Sequence, residues 1–254
     1  MCAGRQCTRR LCPRLCVPKW GESPLPSVTN TLIDTLPRTA RNRLLSICES
    51  VDLVTGHMVS GSDSHARHVY FPTGSILSLM TSSKDSPVLE VGMVGSEGML
   101  GLQVVLAAGT VPLQASVSGS GTAWRVATEP FNRELASSRA LQQRLNCYLQ
   151  VILLQLTAEA RCVRFHQINQ RLARWLLMTH DRTSADSFNV TQALIANSLG
   201  VRRVGIAKAA GTFQRSGSIK YVRGALTIVD RKALESESCG CYETSQKTYA
   251  RFMS

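Results

Sequence analysis

Residues 194–222 read "LIANSLGVRRVGIAKAAGTFQRSGSIKYV". An apolar helical pattern stops at Gly200 and resumes at once behind two arginines. A plain helix hairpin gains nothing from adjacent cations at the start of its second helix, whereas a helix that enters a nucleic-acid groove does. Thr191 suits the N-cap of a first short helix over 191–199, whose core face is Leu194, Ile195 and Leu199. Gly200 suits the tight turn that follows. A second helix is expected over about 202–215, with Val204, Ala207 and Phe213 contributing to its buried parts. Arg202, Arg203 and Lys208 fall near its N-terminal end and outer face. An arginine fork matches the guanine edge, and a lysine serves as a point charge for phosphate. Gly205 and Gly211 each weaken this helix by about 1 kcal/mol relative to Ala. Beyond Gly217, "IKYVRGALTIV" (219–229) reads as a two-stranded ribbon turning at Arg223–Gly224. A ribbon with a cation at its tip is a wing, placed to rest on the phosphate backbone.

The rest of the composition agrees with a polyanionic partner. The chain has 254 residues, 44% hydrophobic, with a formal charge of +12. That is enough apolar matter for a sizeable core, and the basic balance favours nucleic acid. Counting Lys and Arg against Asp and Glu, residues 28–130 carry −2 and residues 167–230 carry +6. The separation predicts two bodies with different partners. No apolar run reaches the roughly 18 residues of a membrane helix. The basic N-terminus is broken by Pro13, Arg14 and Pro18, so it lacks the apolar core of a signal peptide. A cytoplasmic protein with reduced thiols is expected. No catalytic motif is present, and no enzyme activity is expected.

Residues 1–30 read as a disordered, basic, cysteine-rich arm. Residues 31–50 read as short helical pieces, with Leu44, Leu45 and Cys48 on one face. Residues 51–130 hold short Val/Leu/Ile runs between Gly, Ser, Asp and Pro, the spacing of a small antiparallel barrel or jelly roll. From about Glu129 the period becomes helical. Leu141, Leu145, Tyr148, Ile152, Gln155, Leu156 and Val163 recur at three- and four-residue steps, predicting one long helix over 131–165. Such a helix outruns a small barrel, so these residues are expected to form a dimer seam, with Gln155 able to set register. A further helix, "HQINQRLARWLLMTHD", presents Leu172, Trp175, Leu176 and Thr179 on one face. Residues 166–242 then form the DNA-binding unit, and 243–254 a tail.

These pieces together resemble the Crp/Fnr family of bacterial transcription regulators. The resemblance is carried by "HVYFPTGSILSL" (68–79), "LEVGMVGSEGMLG" (89–101), "RLARWLLMTHDR" (171–182), "VTQALIANSLGVRR" (190–203) and "SGSIKYVRGALTIVDRKALE" (216–235). It implies an α+β fold: an N-terminal jelly roll of the cyclic-nucleotide-binding type over 31–130, a long dimerisation helix, and a C-terminal winged helix-turn-helix. It also implies a homodimer on a near-palindromic operator in double-stranded DNA, with RNA polymerase as a further partner. The base-reading positions of the family fall here on Arg202, Arg203, Val204, Gly205 and Lys208. Thr191, Gln192 and Arg223 complete the candidate DNA-contacting set. Many relatives carry an acidic residue among the base readers where this chain has Val204, so the operator is not carried over.

The family's cyclic-nucleotide pocket uses a Gly-Glu pair and an arginine against the phosphate. "GSEGMLG" (95–101) supplies Glu97, but Leu113 and Gln114 stand near the arginine position. No Lys or Arg occurs between Lys84 and Arg125, so a cAMP response is not expected. Gly95, Gly98 and Gly101 read as turn glycines. Two other cofactors of the family fit no better. Cys2, Cys7, Cys12 and Cys16 do not match the cluster spacing of Fnr-type iron–sulfur regulators, and His57, His65 and His68 read as surface residues rather than haem ligands. Cys239 and Cys241 form a C-x-C with no second pair nearby in sequence, so no metal site is expected. No cofactor is expected. One alternative is a haem or iron–sulfur redox or gas-sensing regulator with DNA binding as its output, and a rival of another class is a cytosolic effector-binding scaffold whose basic unit docks on an acidic protein.

Overall fold

The computed structural model describes residues 29–61, 66–84, 86–109, 113–183 and 185–253. The predicted arm with Cys2, Cys7, Cys12 and Cys16 lies outside them, apart from residues 29 and 30, and so does His65. Two short helices, α1 (Thr31–Asp34) and α2 (Arg38–Ser46), open the described chain. Asn30 caps α1 by accepting from the Ile33 amide, and its Nδ2 donates to the carbonyls of Pro72 and Gly98, both at 2.8 Å. One buried amide thus fixes the helix entry to the sheet behind it.

Seven strands follow: β1 (Glu49–Leu53), β2 (Met58–Ser60), β3 (His68–Pro72), β4 (Ile76–Ser83), β5 (Ser86–Val94), β6 (Gln114–Gly119) and β7 (Gly121–Ala127). A four-residue helix, α3 (Leu102–Val105), interrupts them. They pair antiparallel as two sheets, β1-β7-β3 and β2-β6-β4-β5, the two-layer form expected of a jelly roll. Alternation fills the inside, with Val69 and Phe71 from β3 and Ala115 and Val117 from β6 buried.

The helix expected over 131–165 is two helices, α4 (Thr128–Ser137) and α5 (Arg139–Phe165). The break is at Ser138, which is extended and whose hydroxyl accepts from the Leu141 amide. A serine that can cap is better placed at a helix start than inside one. The 27 residues of α5 span about 40 Å.

The C-terminal body comprises α6 (Ile168–His180), β8 (Ser187–Asn189), α7 (Gln192–Leu199), α8 (Arg203–Arg215), β9 (Ile219–Val222), β10 (Ala225–Ile228) and α9 (Arg231–Glu237). Leu172, Trp175, Leu176, Ile195, Leu199, Ile206, Phe213, Leu226 and Leu234 share its core. The expected two-stranded ribbon gains a third strand, in the order β8-β10-β9. The residues expected as a tail form most of α10 (Cys241–Met253). This helix runs back along α5, and Tyr249 and Met253 join the core that holds Leu141, Leu145 and Phe71. Tyr242 and Arg231 both bind Asp181 at the end of α6, at 2.8 and 2.6 Å, which ties α9 and α10 to α6. Among the described residues, no helix is long and apolar enough to cross a membrane.

The winged body docks on the sheet edge strand β5. Met93 of β5 is part of the winged-helix core. Beside it, the buried Glu90 carboxylate accepts from Ser78 Oγ at 2.6 Å, Trp175 Nε1 at 2.9 Å and Ser198 Oγ at 3.1 Å. These donors come from β4, α6 and α7. Burial raises the Glu90 pKa, outweighing the three hydrogen bonds that lower it.

A folded-state pKa above the unfolded one means that the contribution of Glu90 is fully present below the ordinary carboxylate value. It is lost as pH rises from that value through the raised one. Glu90→Gln removes this dependence, so urea midpoints across the same pH window should fall more steeply for wild type than for E90Q. Glu90→Ala leaves three donors without an acceptor and is expected to cost about 1–3 kcal/mol per buried unsatisfied group.

Candidate nucleic-acid interface

Helix α7 starts at Gln192, where the Thr191 hydroxyl accepts from the Leu194 amide at 3.1 Å. Gly200 closes the helix with φ +62°. The left-handed turn favours glycine, and a Cβ there would also push on the Leu89 Cδ1 methyl, 2.8 Å away. Arg202 is the N-cap residue of α8, and α8 buries Ile206, Ala209, Ala210 and Phe213. Those four positions repeat at three- and four-residue steps and fix the helix phase.

The phase corrects one expectation. Val204 and Ala207 do not bury. They face out with Arg203 and Lys208, and Val204 is 73% exposed. The outer face is therefore Arg203, Val204, Ala207 and Lys208, with Arg202 at its leading end. Among the described residues, none of these cations is paired with a carboxylate. Two apolar groups between cations suit a groove floor, because small side chains touch the thymine methyl while arginine reads guanine. The outward position of Ala207 is hidden in the sequence, because its apolar character suggests the core. Gly205 is half-buried, and a Cβ there would meet Ile168 Cδ1 at 3.0 Å. It brings α8 close to α6 and does not itself project outward. Gln192 is half-buried at the start of α7.

The wing stands beside this face. β9 and β10 pair from Val222–Ala225 to Ile219–Ile228 and turn at Arg223–Gly224. Arg223 and Lys220 are exposed. Gln214 of α8 donates to the Tyr221 carbonyl at 3.3 Å, and the Tyr221 hydroxyl donates to the Val190 carbonyl at 2.6 Å. Burial pushes the Tyr221 phenol above its ordinary range while the Arg203 charge pulls the other way. Helix α8 and the wing thus form one cationic surface.

Of the residues expected at a dimer seam, Leu141, Leu145 and Tyr148 are wholly buried within their own protomer. Ile152 packs on the same core, and Gln155 lines a cleft with Glu97, Arg182 and Tyr249. The physical reason is α10, which covers that stripe. Leu156 and Val163 do face outward, at 41% and 42% exposure, and Leu153 reaches 63%. With half-buried Leu149 and exposed Ala160, the open stripe is Leu149, Leu153, Leu156, Ala160 and Val163. Its spacing of four, three, four, three is that of coiled-coil a and d positions.

The loop 95–101 is filled by the protein itself. Glu97 forms an ion pair with Arg182 at 2.8 Å and accepts from the Gly95 amide at 3.2 Å. Tyr249 donates to the Glu97 carbonyl at 2.9 Å. Tyr148 lies so close over Gly98 that a Cβ there would be 2.1 Å from its hydroxyl. Arg125, the first cation beyond the gap in the sequence, is bound to Glu49 at 2.8 Å near the surface. His57 is exposed in the turn before β2, whereas His68 is half-buried on β3, a strand of the other sheet.

Residues 170–237 match the model of the Crp-like helix-turn-helix domain. Solved structures share the fold over most of the chain. FixK2 from Bradyrhizobium japonicum is 13% identical, with 76% of this chain and 98% of that one covered and a TM-score of 0.66. A CRP-family transcriptional regulator from Thermus thermophilus is 16% identical, with 74% and 96% covered and a TM-score of 0.63. The c-di-GMP-responsive global regulator CLP of Xanthomonas campestris is 16% identical, with 76% and 99% covered and a TM-score of 0.62. No curated protein sequence matches the chain.

Arg202→Ala and Arg203→Ala are each expected to relax preference at a defined base pair, by about 1–3 kcal/mol for each bidentate arginine–base pair removed. Arg223→Ala should weaken binding to all sequences and lower the salt slope by about one. Fluorescence anisotropy over a set of single-base operator variants and a salt series separates the two behaviours. Equal weakening on every sequence for all three variants would exclude base reading by the arginine pair.

Proposed function

Given a Crp-like helix-turn-helix domain on the fold of the Crp/Fnr regulators, we propose that the chain is a sequence-specific transcription regulator that binds a near-palindromic operator as a homodimer. The observation that carries this reading is the outward face of α8, where Arg203 and Lys208, with no carboxylate partner among the described residues, flank exposed Val204 and Ala207 beside the cationic wing. A basic surface meant for an acidic protein needs no exposed valine and alanine between its cations. The exposed heptad stripe on α5 supports the second copy. Two half-sites about one helical turn apart require two linked readers.

The signal is not a cyclic nucleotide held in the usual way. Glu97 is engaged by Arg182, Tyr148 occupies the space over Gly98, and no cation lies between Lys84 and Arg125 to meet a buried phosphate. The one cation beside the loop among the described residues, Arg182, is already paired with Glu97, so a phosphate would have to break that ion pair to gain a charge-assisted hydrogen bond, about twice as strong as a neutral one.

Selection of bound sequences from random duplex DNA should return a two-fold symmetric motif, whereas uniform retention of all sequences would overturn the reading. Leu153→Asp and Leu156→Asp should convert the dimer to monomer in sedimentation with the fold intact, because each buries unpaired carboxylates at the seam at several kcal/mol per ion. Operator affinity should fall with dimerisation. Ile152→Asp should instead unfold the protomer, since its side chain packs on the α10-covered core. Calorimetry with cAMP and cGMP should show no binding that alters operator affinity. Micromolar binding with a tenfold gain in operator affinity would reinstate the nucleotide.

A further inference from the structure

The C-x-C of Cys239 and Cys241 does have a second pair, and α5 supplies it. Cys162 lies in the last turn of α5, and His166 is the extended C-cap residue that follows it. Cys239 and Cys241 flank Gly240 at the junction of α9 and α10. The four ligand atoms all lie within 4.8 Å of one another. The sequence expectation of no metal site rested on the absence of a nearby pair, and folding brings that pair from a distant helix.

We propose that Cys162, His166, Cys239 and Cys241 form a closed, four-coordinate site for a thiolate-preferring divalent metal, Zn²⁺. Three observations carry it. The first is geometric. A Zn–S bond of about 2.3 Å sets the sulfur–sulfur edge of a tetrahedron at about 3.8 Å, and a Zn–N bond of about 2.0 Å sets the sulfur–nitrogen edge at about 3.5 Å. Cys162 Sγ and Cys239 Sγ are 3.6 Å apart, and Cys241 Sγ and His166 Nδ1 are 3.7 Å apart. The second is the donor set, since three thiolates and one imidazole are a structural zinc set and leave no open coordination position. A Cys162–Cys239 disulfide would give the third thiol and the imidazole no part.

The third observation is the surroundings. All three cysteines are 3% exposed or less, and His166 is half-buried. Three thiolates and one divalent ion leave a net negative charge. Arg174 acts electrostatically on all three sulfurs, and Arg161 acts on Cys241. Arg174 is buried and bound to Glu159, yet its Nε has no hydrogen-bond partner among the described residues. A metal-bound sulfur is the kind of acceptor such an outer-shell donor orients and stabilises. The consequence is mechanical. The metal would staple the end of α5, where the chain turns into α6, to the junction from which α10 returns to the jelly roll.

Metal analysis of the full-length protein, purified anaerobically without chelator, should find one zinc per chain that survives dialysis. Exchange with Co²⁺ should give the intense visible ligand-field bands and the sulfur charge-transfer band of a tetrahedral thiolate site. Cys239→Ser and Cys162→Ser should weaken Co²⁺ binding by at least about tenfold, the drop that removal of even an outer-shell partner brings. Cys48→Ser, in the jelly-roll half, should leave it unchanged. If the serine variants do not fold, His166→Cys keeps a closed four-thiolate site. It should retain the metal with a Co²⁺ spectrum shifted toward all-sulfur coordination. The proposal is overturned if Co²⁺ stays in its weakly absorbing octahedral form. Zinc content unchanged in C239S, or a Cys162–Cys239 disulfide by peptide mapping in metal-free protein that takes up no Co²⁺ after reduction, would overturn it equally.

Discussion

The orientation of the winged body depends on a buried carboxylate. Glu90 sits on β5, an edge strand of the jelly roll, and its oxygens receive donors from β4, α6 and α7. An ionised carboxylate in such a place is costly unless its lone pairs are met, and two of the three groups that meet them belong to the winged helix. Removing the winged body would therefore leave the acid short of partners. Withdrawing the acid would leave an indole N–H and a hydroxyl with none. Each half of the chain is completed by the other, and Met93 beside Glu90 adds its side chain to the winged-helix core. The dock thus combines direction, from hydrogen bonds, with apolar burial.

A second constraint comes from α5, which carries apolar residues on two faces. One face holds Leu141, Leu145, Tyr148 and Val151 and is buried against the jelly roll and α10. The other holds Leu149, Leu153, Leu156, Ala160 and Val163 and is open. A helix with two apolar stripes needs two partners, and α10 satisfies only the first. Arg182, just beyond α6, pairs with Glu97 while Trp175 and Ser198 bind Glu90, so the jelly roll on which α5 packs also holds the body that carries α8. A seam along the open stripe would place the two recognition helices by rigid geometry rather than by a flexible tether.

Much of this was legible in the sequence, and the exceptions have physical causes. The turn at Gly200, the Thr191 cap and the wing turn at Arg223–Gly224 were readable because local chemistry decides each of them. The outward position of Ala207 was not. Residue type suggested burial, whereas the helix phase is set by Ile206, Ala209, Ala210 and Phe213 together. The open apolar face of α5 was misread for a related reason. Both faces of α5 show three- and four-residue spacing, and only the packing of α10, a segment expected as a tail, decides which face is free. The break at Ser138 had a visible signal, a serine able to cap, but the apolar period runs through it. The grouping of Cys162 and His166 with Cys239 and Cys241 had no local signal at all, because its two halves meet only when α10 folds back.

The loop 95–101 shows how a familiar framework can be refitted. Its glycines keep the backbone tight, yet the space they leave is taken by the Tyr148 hydroxyl, and its acid is taken by Arg182. Tyr249 adds a hydrogen bond from α10. Three elements that define the position of the winged helix, namely α5, the end of α6 and α10, therefore converge on one loop of the jelly roll. A ligand shifts a conformational equilibrium only by its differential affinity for the two states. A group that displaced Arg182 from Glu97 would have to supply a replacement cation for a buried carboxylate and a replacement anion for a buried guanidinium, or leave both uncompensated. That double demand disfavours a simple anion such as a phosphate, which answers the arginine but repels the acid.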